Sequence, residues 1–378
     1  MPHPLDEYPI HQAPVSMAYP GTTDKDFYDR NIFQVIPHGQ HDMQMICGFG
    51  VYPNLGVQDA FACIRVGTKQ YSTRASDAMD DDRMKMHVGP IRIEIIEPLK
   101  KVRVVCEREA GNPNEGDDTV AFDLTWTADV PMHDEEFHQM RTGNRMLIQA
   151  QRFVGIGRWE GTMSVAGQSW TVDHNDWTGT RDRSWGIRPS GEAVPPGRWA
   201  AEIPPKLYHF WIPIRFPDFS TFLIVQEDPN GFRTLNEAVR LWGESSEQGT
   251  EQLGWPRFDV DYVSGTRLPR GCTIEFQLRN GDPLPMKIEV LGSMALHLGC
   301  GYGADVDWSH GQWKGRNWVD SVVYDLEDPA IKGRIPFGVI DHTARATIGD
   351  QVGYGIFEHA SVGRHDPSGF ADLMAVAR

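Results

Sequence analysis

Short segments in which hydrophobic and polar residues alternate recur along most of the chain. Residues 91–97 and 101–107 alternate with a period of two, and residues 120–126 repeat the pattern. This period is typical of strands with one buried face. Glycine and proline interrupt the pattern about every ten residues, which favours turns between antiparallel strands. The pattern therefore predicts an all-β protein.

The same pattern indicates where the chain divides. Residues 1–30 are polar and rich in proline, so we expect an extended arm. The Pro/Gly-rich segment 189–197 is the best candidate boundary. We predict an N-terminal β domain over 1–190 that includes the arm, and a C-terminal β domain over 191–378. Residues 134–142 form the one segment for which we expect a helix.

Antiparallel barrels or sandwiches are the architectures that this pattern favours. The chain shows no alternation of strands with helices, which argues against a doubly wound or TIM-barrel enzyme. With 378 residues, 40% of them hydrophobic and 10% aromatic, it is long enough for two packed cores.

The five cysteines are widely spaced and form no Cys-x-x-Cys pair. We expect buried free thiols in a reducing compartment. The first residues, Met-Pro-His-Pro-Leu-Asp-Glu, resemble no signal peptide, and no apolar run is long enough for a membrane span. These features predict a cytoplasmic protein.

A strong excess of acidic residues limits the partners. The chain has 36 basic and 52 acidic residues, a formal net charge of −16. A nucleic-acid-binding protein needs a basic surface, and anionic membranes repel negative charge, so neither partner is expected. A small molecule is the partner that we predict, and a homodimer is left open.

The segment 170–188 has the densest chemistry in the sequence. It contains three tryptophans, three arginines, three aspartates and one histidine. In a strand, Arg181, Arg183 and Trp185 would share one face and Asp182 the other. Charges held against apolar walls must be paired. One interpretation is a pocket floor in which burial shifts the pKa of a carboxyl group. The other is a structural cluster that locks a strand junction.

Two further segments carry groups for acid–base chemistry. His209 and Trp211 would share one face of a strand that begins near Tyr208, and a histidine there can act as acid or base near neutral pH. Glu358 ends an apolar strand that contains Tyr354. Each group also has a purely structural interpretation, as a satisfied core residue or an exposed strand end.

Metal and cofactor motifs are not found. His38 with His41, and His174 with Asp176, have ligand-type spacing but no partner motif. The sequence also lacks a phosphate-binding loop and a nucleophile elbow. We predict no metal and no cofactor, and a metal-dependent enzyme that uses His174 and Asp176 stays an alternative.

Residues 177–186, with Trp177 followed by Arg-Asp-Arg-Ser-Trp-Gly, resemble a motif of the AttH/hydroxyneurosporene synthase superfamily. His209-Phe-Trp211 resembles the His-x-Trp strand that follows this motif in the superfamily. Residues 353–358 and 48–54 resemble its C-terminal strand and its N-terminal part. The Tyr-x-Asp pair of the carotenoid hydratases has no match, because Leu223-Ile-Val225 stands in its place.

The resemblance implies two lipocalin-like β domains with a hydrophobic cavity. It also implies cofactor-independent chemistry on lipophilic terpenoids, polyenes or polyketides that begins with protonation of a double bond. We therefore expect a hydratase or dehydratase, an isomerase or a cyclase. The alternative is a non-catalytic carrier of a lipophilic ligand.

The candidate residues follow from these two lines of argument. Asp182 is the first candidate acid or base, and His209 and Glu358 are further catalytic candidates. The residues expected to bind the substrate are Trp177, Arg181, Arg183, Trp185, Tyr208, Trp211 and Tyr354.

Overall fold

A computed structural model describes residues 2–10, 15–16, 19–39, 42–80, 82–108, 116, 118–194, 198, 206–303, 305 and 308–378. The described chain consists of two curled antiparallel sheets that form half-barrels, so the all-β, two-unit lipocalin-like prediction is confirmed. None of the helices in these residues is long and apolar enough to cross a membrane.

Within the described residues, the first sheet has fourteen strands. They are β1 (Phe27–Pro37), β2 (Met43–Tyr52), β3 (Val57–Val66), β4 (Lys69–Ala78), β5 (His87–Val88), β6 (Ile91–Glu97), β7 (Lys101–Cys106), β8 (Ala121–Ala128), β9 (His133–Asp134), β10 (His138–Thr142), β11 (Arg145–Val165), β12 (Gln168–Val172), β13 (Trp177–Ile187) and β21 (Trp318–Asp325). Their order is β21-β4-β3-β2-β1-β13-β11-β8-β7-β6-β5, and β9, β10 and β12 also pair with β11.

The second sheet has nine strands in the order β17-β16-β15-β14-β23-β22-β20-β19-β18. They are β14 (Leu207–Arg215), β15 (Ser220–Glu227), β16 (Arg233–Leu241), β17 (Glu251–Gln252), β18 (Arg257–Tyr262), β19 (Pro269–Gln277), β20 (Pro283–Ala295), β22 (Ile340–Ile348) and β23 (Gln351–Val362). The described helices are short: the 3-10 turns Pro4–Glu7, Pro53–Leu55 and Ile335–Phe337, and α1 (Pro329–Lys332).

The central strands bury both of their faces. On β1, Phe33 and Val35 enter the core of the first half-barrel, whereas Ile36 packs against the second sheet. On β14, Phe210 enters the core of the second half-barrel, whereas Trp211 packs against the first sheet. Successive residues of these strands therefore face a core and the interface between the sheets in turn. Because both faces are covered, polar side chains on these strands are buried as well.

The prediction of a helix over residues 134–142 is wrong. Residues 133–134 and 138–142 are strands, because they pair with β11. The N-terminal arm is also more than an extended segment: Glu7, at the end of the first 3-10 turn, is fully buried beneath the first sheet. Part of the boundary segment 189–197 lies outside the described residues. The division into two domains at residue 190 stays a prediction. One strand from beyond residue 190, β21, pairs with β4 in the first sheet.

Candidate functional site

A cavity of about 110 Å³ lies where the outer faces of the two sheets meet. Apolar clusters join the sheets on both sides of it, one around Ile36 and Phe222 and one around Ile46 and Met294. Residues from both sheets and from three loops line it: Tyr28, Ile32, Gln34, Ile46, His138, Ile148, Ala150, Arg152, Asp182, Arg188, Leu207, His209, Trp211, Leu296, Tyr302, Val339 and Glu358. The walls are thus apolar with a few converging ionisable groups.

Asp182 reaches this cavity from the middle of β13. It lies opposite Ile32 of β1 and Val154 of β11 in the register of the sheet. Its Oδ1 atom is buried and has no hydrogen-bond partner among the described residues. Burial raises the pKa of this carboxyl group, although the charges of Arg152 and Arg188 oppose the shift. Asp182 is therefore a carboxyl group that keeps its proton to a higher pH than usual.

His209 and Glu358 reach the cavity from the second sheet. His209 Nε2 lies 3.2 Å from Glu358 Oε1. Burial by itself would raise the pKa of Glu358, but hydrogen bonds from His209 and Asp341 outweigh it and lower the pKa. The pairing favours the tautomer in which Nε2–H donates to the carboxylate, which leaves Nδ1, buried and without a partner among the described residues, as the acceptor.

Asp341 joins this pair to the first sheet. It lies opposite Glu358 across β22 and β23. Burial and the neighbouring Glu358 charge raise its pKa well above the usual value, so Asp341 is the protonated partner that donates to Glu358. Gln34 of β1 donates from its amide to Asp341 Oδ2, and the hydroxyl of Thr180 donates to the amide oxygen of Gln34. A chain of hydrogen bonds therefore runs from β13 to β23.

A second buried carboxyl group, Glu135, supports the wall of the cavity. Arg152 Nε lies 3.1 Å from Glu135 Oε2, and Trp211 Nε1 donates to Glu135 Oε1 over 3.3 Å. Burial raises the pKa of Glu135 to about 8, against the charge of Arg152. These contacts fix the orientation of the Trp211 indole and of the Arg152 guanidinium.

The structure brings four of the candidate residues together: Asp182, His209, Trp211 and Glu358 all line the cavity. Arg181 and Arg183 point to the opposite face of β13, as the alternation predicts, and are therefore not in this pocket. Arg181 pairs with Glu7, and Arg183 pairs with Asp29. Their charges are satisfied inside the protein.

The remaining aromatic candidates also lie elsewhere: three occupy strand positions that face the cores, and the fourth, Tyr354, lies four residues before Glu358 on β23. Trp177 and Trp185 pack in the first core, and Tyr208 packs in the second, where it stacks on His365. Tyr354 stacks on His38, with ring centroids 4.5 Å apart. None of these four belongs to the described lining of the cavity.

The metal alternative has no cluster to support it in the described part of the chain. His174 and Asp176 lie in an exposed turn before β13, and no group of three or more His, Cys, Asp or Glu side chains could hold a metal ion there. His41 lies outside the described residues.

Sequence reasoning missed several residues of the site, chiefly Gln34, Glu135, Arg152, Arg188 and Asp341. Each comes from a strand or loop whose partner is far away in sequence, so no local spacing connects them. Arg188 is the last residue of the segment 170–188 that the sequence analysis singled out, and membership of that segment was its local signal. In the structure it follows β13 directly.

Comparison with known proteins gives a family and a fold. The profile of a family of unknown function, DUF8625, matches residues 3–371. No curated protein matches the sequence significantly. Among solved structures, a putative AttH from Nitrosomonas europaea is 12% identical, with 90% of this chain and 94% of that chain covered and a TM-score of 0.52.

Two further solved structures are similar. CghA with Sch210972 is 10% identical, with 89% of each chain covered and a TM-score of 0.50. Kievitone hydratase from Nectria haematococca is 14% identical, with 88% of each chain covered and a TM-score of 0.48. The likeness to the putative AttH and to CghA shows that the chain has the AttH-like fold predicted from its central motif.

Proposed function

We propose that this chain, which belongs to the DUF8625 family, is an enzyme that hydrates, dehydrates, isomerises or cyclises a lipophilic small molecule by acid–base chemistry. Terpenoid, steroid-like and aromatic compounds are the substrate classes that we propose. One observation carries the proposal: a carboxyl group with a raised pKa, Asp182, shares a cavity with the His209–Glu358 pair. Groups whose environments push their pKa values apart are suited to opposite roles in proton transfer.

In the proposed hydration, protonated Asp182 gives its proton to one carbon of a double bond. Water adds its oxygen to the other carbon, and His209, oriented by Glu358, takes the proton that the water loses. Dehydration runs through the same steps in reverse. In an isomerisation or cyclisation, the base removes a proton from carbon instead. Each proton that leaves one group is taken up by another, so acid and base are restored through solvent.

The walls of the cavity support the positive charge that protonation creates. The Trp211 indole is held by Glu135, and the Glu358 carboxylate lies on the same face of the second sheet. An aromatic face stabilises a desolvated cation by about 2 kcal/mol. The neighbouring carboxylate adds an opposite charge where little water competes.

The test is turnover by the full chain and by the Asp182→Asn variant. A panel of lipophilic alkenes, enones and aryl alkenes is incubated in ¹⁸O-labelled water, and products are followed by mass spectrometry. Hydration adds one labelled water, dehydration removes one, and isomerisation or cyclisation changes retention at constant mass. We expect Asp182→Asn to lower the rate at least about a hundredfold, as loss of a general acid does.

Asp123→Asn is the matched control, since Asp123 forms a surface ion pair with Arg103 on the same sheet. It should keep full activity, and both variants should keep the unfolding temperature of the parent chain. Full turnover by Asp182→Asn would remove Asp182 from the mechanism. Tight binding of panel members without any turnover by the parent chain would instead identify a carrier.

A further inference from the structure

A second, larger space of about 520 Å³ lies beside the cavity, and the two share Ile148, Arg188 and Tyr302 as lining residues. We call the second space the outer chamber and the cavity around Asp182 the inner cavity. The inner cavity is smaller than the roughly 150 Å³ that holds a benzene molecule in an engineered core. Sites for drug-sized ligands measure about 300–1,000 Å³. A lipophilic substrate that reacts at Asp182 therefore needs room beyond the inner cavity, and the outer chamber is a neighbouring space that shares three lining residues with it.

Arg188 lies at the junction between the two spaces. Its backbone is fixed, because its N–H donates to Asp26 O over 3.0 Å and its carbonyl accepts from the Ser190 hydroxyl over 2.8 Å. Its guanidinium lies over the Tyr302 ring, 5.2 Å from the centroid. Within the described chain, the guanidinium has no ion pair and no hydrogen bond.

The other lysine and arginine side chains of the two walls each lie near a carboxyl group. Lys25 Nζ lies 2.7 Å from Asp26, and Arg145 lies 3.3 Å from the same carboxylate. Arg152 Nε lies 3.1 Å from Glu135 Oε2 in the inner cavity. Among the lysine and arginine side chains of the described walls, Arg188 is thus the one without a carboxyl group at ion-pair distance.

We propose that the substrate carries a carboxylate, which Arg188 binds at the junction of the two spaces. The reacting carbon then lies in the inner cavity beside Asp182, and the rest of the substrate lies in the outer chamber. A guanidinium matches a carboxylate in planarity and can donate two parallel hydrogen bonds to it. This substrate class rests on the function proposed above.

The charges around the junction permit an anion. Burial raises the pKa of both Asp182 and Asp341, which disfavours a negative charge on either of these neighbours. The carboxylate of Glu358 is engaged by His209 and Asp341. A carboxylate at Arg188 therefore meets an unpaired cation and few unpaired anions.

The test measures binding rather than turnover. The probes are trans-cinnamate, 5-phenylpenta-2,4-dienoate and 4-phenylbutanoate, each compared with its primary amide by titration calorimetry on the full chain. We expect the parent chain to prefer a carboxylate over its amide, and Arg188→Gln to weaken carboxylate binding about tenfold or more, as loss of a charged hydrogen bond does. Amide binding should stay within about twofold, since it does not depend on the charge.

Two control variants define the interpretation. Arg188→Lys keeps the charge and should recover part of the preference. Arg270→Gln removes an exposed guanidinium paired with Asp261, far along the second sheet, and should leave the preference unchanged. Equal weakening of carboxylate and amide by Arg188→Gln would show a packing role on Tyr302. That result, or a parent chain without preference for any of the three carboxylates, overturns the proposal.

The Asp182→Asn variant separates this proposal from the proposed function. It should keep the carboxylate preference, because it leaves Arg188 in place. Loss of turnover in Asp182→Asn, together with no carboxylate preference in the parent chain, would refute the Arg188 assignment alone. A retained preference together with full turnover in Asp182→Asn would refute the proposed mechanism alone.

Discussion

Asp341 is a buried carboxyl group that links the two sheets by hydrogen bonds. Two carboxyl groups, Asp341 and Glu358, are hydrogen-bonded in a buried site, so they must share a proton. Gln34 donates to Asp341 from the other sheet, and its amide oxygen accepts from Thr180. The raised pKa of Asp341, and the pairing of Glu358 with His209 that lowers its pKa, favour the state in which Asp341 carries the proton and Glu358 is ionised.

This assignment predicts different results for two substitutions of Asp341. Asparagine can accept from Gln34 and donate to Glu358, so Asp341→Asn should change the free energy of unfolding by less than about 1 kcal/mol. Asp341→Ala removes both bonds and leaves two buried groups unpaired, at about 1–3 kcal/mol each. Chemical denaturation of both variants measures the difference. A loss of stability in Asp341→Asn equal to that in Asp341→Ala would show that Asp341 is ionised.

For single residues, the sequence predicts the structure correctly where the period of a strand alone decides which face a side chain occupies. Alternation placed Asp182 opposite to Arg181, and it placed His209 and Trp211 on one face, as the structure has them. It could not reveal Asp341 or Gln34, because their partnership depends on which distant strands meet. In strands with two covered faces, polar and apolar residues are both buried. The pattern of hydrophobic and polar positions therefore gives no signal for Asp341 or Gln34.

Among the elements, the N-terminal turn and β13 depend on each other. The 3-10 turn Pro4–Glu7 carries Glu7 into the first half-barrel, where the two terminal nitrogens of the Arg181 guanidinium donate to it and Leu99 N donates over 2.6 Å. Phe33 and Trp126 surround the guanidinium, 5.7 Å from its centre to each ring centroid. The proline-rich arm therefore supplies the counter-ion of a strand that carries the site on its other face.

Removal of that counter-ion should be costly. Glu7→Ala leaves Arg181 buried without a charge partner, and loss of one member of a buried ion pair costs about 3–5 kcal/mol. Burial tends to raise the pKa of Glu7, but Arg181 outweighs it and lowers the pKa. The stabilisation is thus present above the unfolded pKa and is lost as pH falls through the folded one.

Thermal unfolding at several pH values checks this prediction. The parent chain should lose unfolding temperature in acid more steeply than Glu7→Ala. Glu97→Ala is the control, since Glu97 forms an exposed pair with Lys100 at 3.6 Å, and such pairs contribute about 1 kcal/mol or less. Equal stability of Glu7→Ala and Glu97→Ala would show that the turn does not support β13.

The mistaken helix shows the limit of local patterns for elements. Residues 134–142 are short, charged and without a clear period, and an isolated segment of this length has little preference of its own. Pairing with β11 decides its structure, since β9 and β10 both lie against that strand. Segments with a strict period of two, such as β6, were predicted with their bounds correct.

In the whole molecule, the site lies between the sheets because each sheet alone would leave it open to water. Asp182 belongs to the first sheet, whereas His209 and Glu358 belong to the second. Only their packing through the clusters around Ile36 and Ile46 removes water from the groups between them. The shifted pKa values that the proposed chemistry needs are therefore a property of the assembled pair of sheets.

The pairing of β21 with β4 predicts that residues 1–190 and residues 191–378 do not fold independently. This strand comes from the C-terminal half, yet it pairs with residues 69–76 of β4 and covers buried polar residues such as Arg74. A fragment of residues 1–190 would expose that edge and the interface face of β1, and exposed edges favour aggregation.

We expect the fragment to lack a cooperative thermal transition, measured by circular dichroism and calorimetry. Co-expression with residues 191–378 should restore one. A fragment that unfolds cooperatively as a monomer would instead support an autonomous N-terminal domain, with β21 as a removable addition to its edge.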